Sequence, residues 1–413
     1  TAAVKEVLAV LDSQEALPML WRASLSDDAN ERQQFIAAAE HCHAHNVRFP
    51  NSLDEVQMLQ SLGDSAFARY LLGCFWYSKR RYDEAVSCWR ETLEKSPDYA
   101  PAHRLLGVYS WNKQQDATQA LAYLQRAVAL EPDNARFLFE LDFLQKLLAR
   151  PVHERLTTLV ERKAVVLKRD DLTAELLSLW NASGHYADAA AILDTRVFHP
   201  WEGGEGKITG QYLLNQLHLA LQFIERGAFK QATDCLKAAL RYPDNLGEGR
   251  LPGQTDNDIW YLLGYCAEQA GDAQQAAEYY QLARQGGSTL DAGRYYNDQP
   301  ADYLFWQGIA LRKSGNPAQA EQHFRHFIDW AAQHRDDVPQ VDFFAVSLPD
   351  LVVLDVSAQQ RHLQHCLFIE ALGHLGLGNV SACQQRMQQL LQINPAHDKA
   401  HLIRHALQSG IFS

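Results

Sequence analysis

Three things are missing from this sequence: an excess of basic charge, an apolar run long enough to cross a bilayer, and closely paired cysteines. Lys plus Arg number 38 against 50 Asp plus Glu, a formal charge of −12 spread along the 413 residues rather than held in a tail. Phosphate binding needs a cationic footprint, so neither nucleic acid nor an anionic membrane is expected as a partner. A spanning helix needs about 20 consecutive apolar residues, and no stretch approaches that. Cysteines 42, 74, 88, 235, 266, 366 and 383 stand singly without a C-x-x-C pair. A dispersed, odd set reads as buried thiols in a reducing compartment, which implies a cytoplasmic protein. No G-x-S-x-G elbow is present, so no catalytic residue, enzyme activity or cofactor is expected of this chain. There is no signal peptide, and Thr1 is not expected to be the native first residue.

What is present is periodicity. Gly73 and Gly107 stand 34 residues apart in the matching contexts A-R-Y-L-L-G-C-F-W and A-H-R-L-L-G-V-Y-S. Ala85, Trp89 and Pro97 follow the first, and Ala120, Leu124 and Pro132 follow the second. I-W-Y-L-L-G-Y at 259–265 is followed by Ala276 and Tyr280, and Y-L-F-W-Q-G-I at 303–309 by Ala320 and Phe324. Small residues at the glycine and alanine positions let two antiparallel helices approach, with the large residue filling the space between them. Gly184, Gly227, Gly271, Gly315 and Gly378 fall at the turn inside each pair, where positive φ is useful. Proline is expected to open the next helix in S-P-D-Y, E-P-D-N, Y-P-D-N and N-P-A-H. The pattern resembles the tetratricopeptide repeat, a helix–turn–helix unit. It predicts an all-α, right-handed superhelical solenoid over residues 66–413, of about seven repeats plus one irregular helix pair at 134–169. Residues 1–65 are expected to form an N-terminal helical cap.

The turn glycines also show where the repeat is stretched. Gly184 to Gly227 is 43 residues, Gly227 to Gly271 is 44, Gly271 to Gly315 is 44, and Gly315 to Gly378 is 63. Beyond 34 residues, the excess falls each time after the second helix, at 199–207, 245–253, 286–298 and 335–351. Insertions at one offset of a solenoid project from one edge, often the binding edge. The expected partner-binding residues are therefore Trp201, Glu202, Glu205, Asn245, Glu248, Arg250, Tyr295, Tyr296 and Phe343. The bland alternative is that these loops cap helix ends and that their aromatics simply pack.

R-D-D-L at 169–172, H-P-W-E-G-G-E-G at 199–206, Y-P-D-N-L-G-E-G at 242–249 and D-F-F-A-V-S-L-P-D-L at 342–351 carry a second resemblance. They are similar to the C-terminal repeat region of large bacterial proteins whose N-terminal half resembles sugar-mutarotase β-sandwiches. The likeness covers nearly the whole chain. It implies a carbohydrate-related context, with a catalytic-type domain lying upstream of Thr1. The expected function is a non-catalytic interaction module whose protein partner is that domain or another protein. Carbohydrate bound directly by the 199–207 and 245–253 loops is the alternative.

Two further features bear on ligands. His41, Cys42, His43 and His45, and separately His362, His365 and His374, lack the carboxylate spacing of a zinc enzyme and read as surface or capping groups, so no metal is expected. The groove-facing positions are Phe67, Tyr70, Cys74, Tyr77, Arg104, Val108, Trp111 and Asn112, and Tyr70, Cys74, Leu105 and Val108 stand where chaperone-binding modules carry their lysine and asparagine clamp. That groove is expected to hold an apolar helix or to be filled by the chain's own helices.

Overall fold

The glycine–aromatic pairs spaced along the sequence become helix crossings. The structure, a computed structural model, describes residues 15–42, 48–291, 299–339 and 353–412, together with Glu6 and Leu8. Every regular element among them is helical, and the chain divides into two units, Thr1–Phe137 and Leu138–Ser413.

The first unit holds α1 (Ala16–Leu25), α2 (Ala29–Cys42), α3 (Leu53–Ser61), α4 (Ala66–Ser78), α5 (Tyr82–Lys95), α6 (Ala100–Tyr109) and α7 (Ala117–Leu130). In the α4/α5 pair a Cβ on Gly73 would lie 2.4 Å from Trp89 Nε1 and 3.0 Å from the Ala85 carbonyl oxygen. Only hydrogen fits there, and the Trp89 side chain is fully buried as a result. Gly107 against Leu124 repeats the crossing in α6/α7. We expect Gly73→Leu to destabilise this unit by about 3 kcal/mol, the upper end of ordinary overpacking, because Trp89 has no free space to move into. Urea denaturation followed by circular dichroism measures it; a loss below 0.5 kcal/mol would mean the pair can open without penalty. Helix α3 starts in a capping box: Ser52 accepts from Glu55 N while Glu55 accepts from Ser52 N.

The second unit begins within α8 (Ala135–Leu147) and continues through α9 (Val152–Glu161) and the short α10 (Lys163–Val166). Helix pairs follow: α11 (Asp170–Ser183) with α12 (Tyr186–Thr195), α13 (Lys207–Glu225) with α14 (Phe229–Ala239), and α15 (Asn257–Gln269) with α16 (Ala273–Ala283). Then come α17 (Tyr303–Lys313) with α18 (Pro317–His334), α19 (Ala358–Gly376) with α20 (Val380–Ile393), and a last helix, α21 (Asp398–Gln408). Gly264 meets Tyr280 and Gly308 meets Phe324 as Gly73 meets Trp89. Gly184, Gly227, Gly271, Gly315 and Gly378 all have φ between 69° and 85°, as the turn reading requires. One continuous core runs from α13 to α21 and contains Tyr261, Phe305, Trp306, Phe324 and Phe327.

The expectation that proline opens the next helix needs correction. Tyr99 N donates to Ser96 O, Asn134 N to Glu131 O, and His397 N to Asn394 O, each at 3.1 Å. Pro97, Pro132 and Pro395 therefore occupy the second position of a tight turn, where their fixed φ is favoured. Each helix starts three residues later, at Ala100, Ala135 and Asp398. In Y-P-D-N the proline leads instead into a single 3-10 turn, Asp244–Leu246.

Candidate functional site

Two arrangements in the second unit are candidates: the inserted loops, and the face shared by the first helices of the pairs.

The loops at 199–207 and 245–253 come together. Phe198 N donates to Asn245 O at 2.8 Å, and the Asn245 amide donates to the carbonyls of Leu193 and Arg196, both at 2.8 Å. Phe198 and Leu246 are buried beneath this junction. Gly247 has φ 78°, and a Cβ there would lie 2.5 Å from the Phe198 carbonyl oxygen, so glycine is needed twice over. The Glu248 carboxylate accepts from Gly206 N at 2.9 Å and from the Thr209 hydroxyl at 3.2 Å. It thereby caps the start of α13, where a negative charge also suits the helix dipole. Arg250 pairs with the buried Asp256. Arg196 clamps Asp170 through Nε and Nη2 at 3.0 and 2.6 Å, and His199 N donates to the other Asp170 oxygen.

Of the residues expected to bind a partner, Asn245, Glu248 and Arg250 thus make bonds within the chain. Trp201 is half-buried with its ring laid over Gly204, where a Cβ would lie 2.0 Å from Cε2. Glu205 is half-buried and Glu202 is exposed. Tyr295, Tyr296 and Phe343, like most of the 286–298 and 335–351 insertions, lie outside the described residues.

The histidines divide the same way. His41 Nδ1 lies 2.8 Å from the Ala37 carbonyl, and His43 and His45 are outside the described residues. His362 and His365 donate from Nε2 to the carbonyls of His334 and Leu290, and His374 approaches Glu370. Among the described residues no three His, Cys, Asp or Glu side chains converge as metal ligands. In the first unit Tyr70 is buried with its ring 5.2 Å from that of Tyr99.

The face made by α11, α13, α15 and α17 is taken by α21. Asp398 accepts from the Ser178 hydroxyl and the Gln211 amide, both at 2.7 Å. The Lys399 ammonium lies 3.2 Å from Asp302 and 3.8 Å from Asp258, and 5.3 Å from the Tyr303 ring centroid. His405 stacks with Tyr186 and His218, and its Nε2 faces Glu225 at 3.4 Å. The Tyr261 hydroxyl donates to the Ile411 carbonyl at 3.2 Å, and Phe412 meets Phe305 and Trp306 at 5.4 and 5.8 Å. The groove positions read from the sequence, 67–112, lie in the first unit; in the second unit the corresponding face is filled by the chain's own last helix. The signal that could have found it is the run H-D-K-A-H-L-I-R-H at 397–405, with histidines at i, i+4 and i+8 on one face of the last helix. Their partners lie as far as 219 residues away in sequence, a pairing that no local pattern reports.

Residues 76–135 and 217–293 match the family model of the tetratricopeptide repeat, so the chain carries tetratricopeptide repeats in these two stretches. Similar solved structures include the type IV pilus biogenesis factor PilW, 17% identical, covering 52% of this chain and 90% of its own, with a TM-score of 0.28. Another is YrrB, described as a tetratricopeptide-repeat protein with an unusual peptide-binding site. It is 15% identical, covers 68% of this chain and 90% of its own, and has a TM-score of 0.21.

Proposed function

We propose that this chain, carrying tetratricopeptide repeats, is a non-catalytic protein-interaction scaffold that docks a partner on the joined loops of its second unit. The observation that carries this reading is the filled helix face. With α21 lying against α11 and α13 and bonded to Asp258 and Asp302 at α15 and α17, the first-helix face is largely taken, which favours the loop edge over it as the docking surface. That edge is braced by the Phe198–Asn245 and Gly206–Glu248 bonds, so binding there would lose little conformational entropy. The partner favoured by the sequence resemblance is the mutarotase-like β-sandwich domain of the same, longer polypeptide. Direct carbohydrate binding has less support, because Asn245, Glu248 and Arg250 already satisfy groups of their own chain. Cys74, Cys88, Cys235, Cys266, Cys366 and Cys383 are free thiols, which suits a reducing compartment such as the cytoplasm.

Isothermal titration of this chain with the separately produced β-sandwich domain tests the proposal. Glu202→Lys, at an exposed site, is expected to weaken binding by about tenfold, the effect of a 1.4 kcal/mol contact. Trp201→Ala should weaken it more, with thermal melting used to correct for any loss of the Gly204 contact. Unchanged affinity in both variants would remove the loops from the interface. Micromolar binding of an oligosaccharide, lost in the same variants, would favour the carbohydrate reading instead.

A further inference from the structure

Helix α21 reaches its seat through histidines whose Nδ1 atoms lie within bonding distance of donors. At its N-cap, His397 Nδ1 accepts from Ala400 N at 3.2 Å, the bond that an Asn or Ser side chain would otherwise supply. One turn on, His401 donates from Nε2 to the Pro395 carbonyl at 2.7 Å and accepts at Nδ1 from Arg404 Nη2 at 2.8 Å. One turn further, His405 Nδ1 lies 2.9 Å from His218 Nδ1 and 3.3 Å from the Tyr186 hydroxyl, while its Nε2 faces Glu225. With Nε2–H directed at Glu225, His405 Nδ1 is the acceptor for both neighbours; this tautomer is assigned from the network of partners. Three successive turns of α21 thus present an accepting Nδ1. A second proton on His397 or His401 turns that acceptor into a donor aimed at Ala400 N–H or the Arg404 guanidinium, which can only donate, and one on His405 forces His218 and Tyr186 to reverse their bonds.

We propose that α21 is an acid-released latch: docked on the first-helix face of the second unit at neutral pH, and freed as its histidines take up protons.

The charged groups around each ring set the sign. His397 is half-buried beside Phe368, and its pKa falls to about 4 because lost hydration, with His401 adding to it, outweighs the nearby Asp398 and Asp302. Protonated, it would also place a cation at the positive end of the α21 dipole. Burial lowers the pKa of His401, helped by Arg404 and opposed by its bond to the Pro395 carbonyl and by Asp398. Burial lowers that of His405 as well, against the pull of Glu225. His218, 1% exposed, is held far below its ordinary range by burial first and then by His405, His401 and Arg404. Lys399, Asp258 and Asp302 hold the helix start in either state of the rings. An open cavity of about 250 Å³ lined by Gly184, Gln222, Glu225, His401, Arg404 and His405 gives water access to the cluster.

These are bases whose docked pKa lies below the free value of about 6.5. Docking is therefore at full strength above that value and weakens as pH falls below it. For His397 alone, a docked value of about 4 makes release about tenfold more favourable at pH 5.5 than at pH 7.5. The other rings add in the same direction.

Hydrogen exchange of the full chain at pH 7.5 and 5.5, corrected for the intrinsic pH dependence of amide exchange, tests this. The amides of α21 should exchange at least tenfold faster at pH 5.5, while those of α16 and α18, second helices of their pairs, should not change. His397→Asn keeps an N-cap acceptor without a titrating ring. It should leave exchange at pH 7.5 as it is and reduce the pH ratio by about tenfold. His397→Asn combined with His405→Gln should flatten it further. Equal protection of α21 at the two pH values would overturn the proposal. So would a full pH ratio retained in His397→Asn, or equal acceleration in α16, α18 and α21, which would signify general acid unfolding.

Discussion

Replacing Arg155 with methionine is expected to destabilise the second unit by about 3–5 kcal/mol, the ordinary consequence of removing one partner from a buried ion pair. Arg155 is 1% exposed on α9, and α8 and α11 each turn one acid toward it from among their apolar residues. Its Nε and Nη2 donate to the two oxygens of Asp142 at 2.9 and 2.7 Å, and Nη2 also donates to Glu175 at 3.0 Å. Lys146 reaches the same Glu175 carboxylate at 2.9 Å. Burial alone would raise the Glu175 pKa, but Lys146 and Arg155 together outweigh it and bring it down to about 2. Methionine fills much of the space but donates nothing, so Asp142, 2% exposed and with its pKa already raised by burial against the pull of Arg155, loses its donors and must either take up a proton or stay charged without a partner. Urea denaturation of Arg155→Met gives the loss directly. In the double variant Arg155→Met/Asp142→Leu both charges are gone, and most of the stability should return. If the single variant lost less than 1 kcal/mol, the network would be a solvated cluster and the irregular α8–α10 segment would be held by its apolar contacts alone.

The irregularity of that segment was visible in the sequence, but its cause was not. Arg150-Pro151 marks the break, and the structure places Ala149 there with φ 52°. Asp142, Arg155 and Glu175, by contrast, lie on three different helices and have no spacing that would join them. The same division runs through the rest of the molecule. Gly73 with Trp89 and Gly264 with Tyr280 were legible because each pair sits inside one repeat, at a separation that the helix–turn–helix unit fixes. The inserted loops were legible as insertions, because the turn glycines measure them. Their internal use was not: Glu248 caps a helix that starts 41 residues earlier, at Lys207. Composition marked Glu248, Asn245 and Arg250 as candidates for a partner, since polar residues on glycine-rich loops look alike whether they face solvent or a helix end. The docking of α21 was the least legible feature, because it depends on the curvature that successive pairs accumulate, which no single repeat encodes.

Lys399→Met should loosen α21 by the opposite pH rule to its histidines. The ammonium lies between Asp302 and Asp258, whose side chains are 8% and 2% exposed, and is itself 28% exposed. Because the lysine is partly solvated, the expected loss is about 2–4 kcal/mol, somewhat under the 3–5 of a fully buried pair. Burial already raises the Asp258 pKa, with Lys399 opposing and Asp302 adding to the rise. Removing the ammonium takes away the opposing influence, so the docked pKa of Asp258 climbs further above its value in the released chain. An acid raised in this way binds more protons in the docked state. The variant should therefore dock best at low pH and lose docking as pH rises through the raised pKa. Hydrogen exchange of α21 in Lys399→Met should accordingly rise between pH 5.5 and 7.5 relative to the parent chain. In His397→Asn/Lys399→Met, with one acid-sensitive ring also gone, this alkaline release should be clearer still. A uniform acceleration at both pH values would mean that Asp258 and Asp302 reach solvent once Lys399 is gone, and that the lysine serves only to pack its stem on Tyr303.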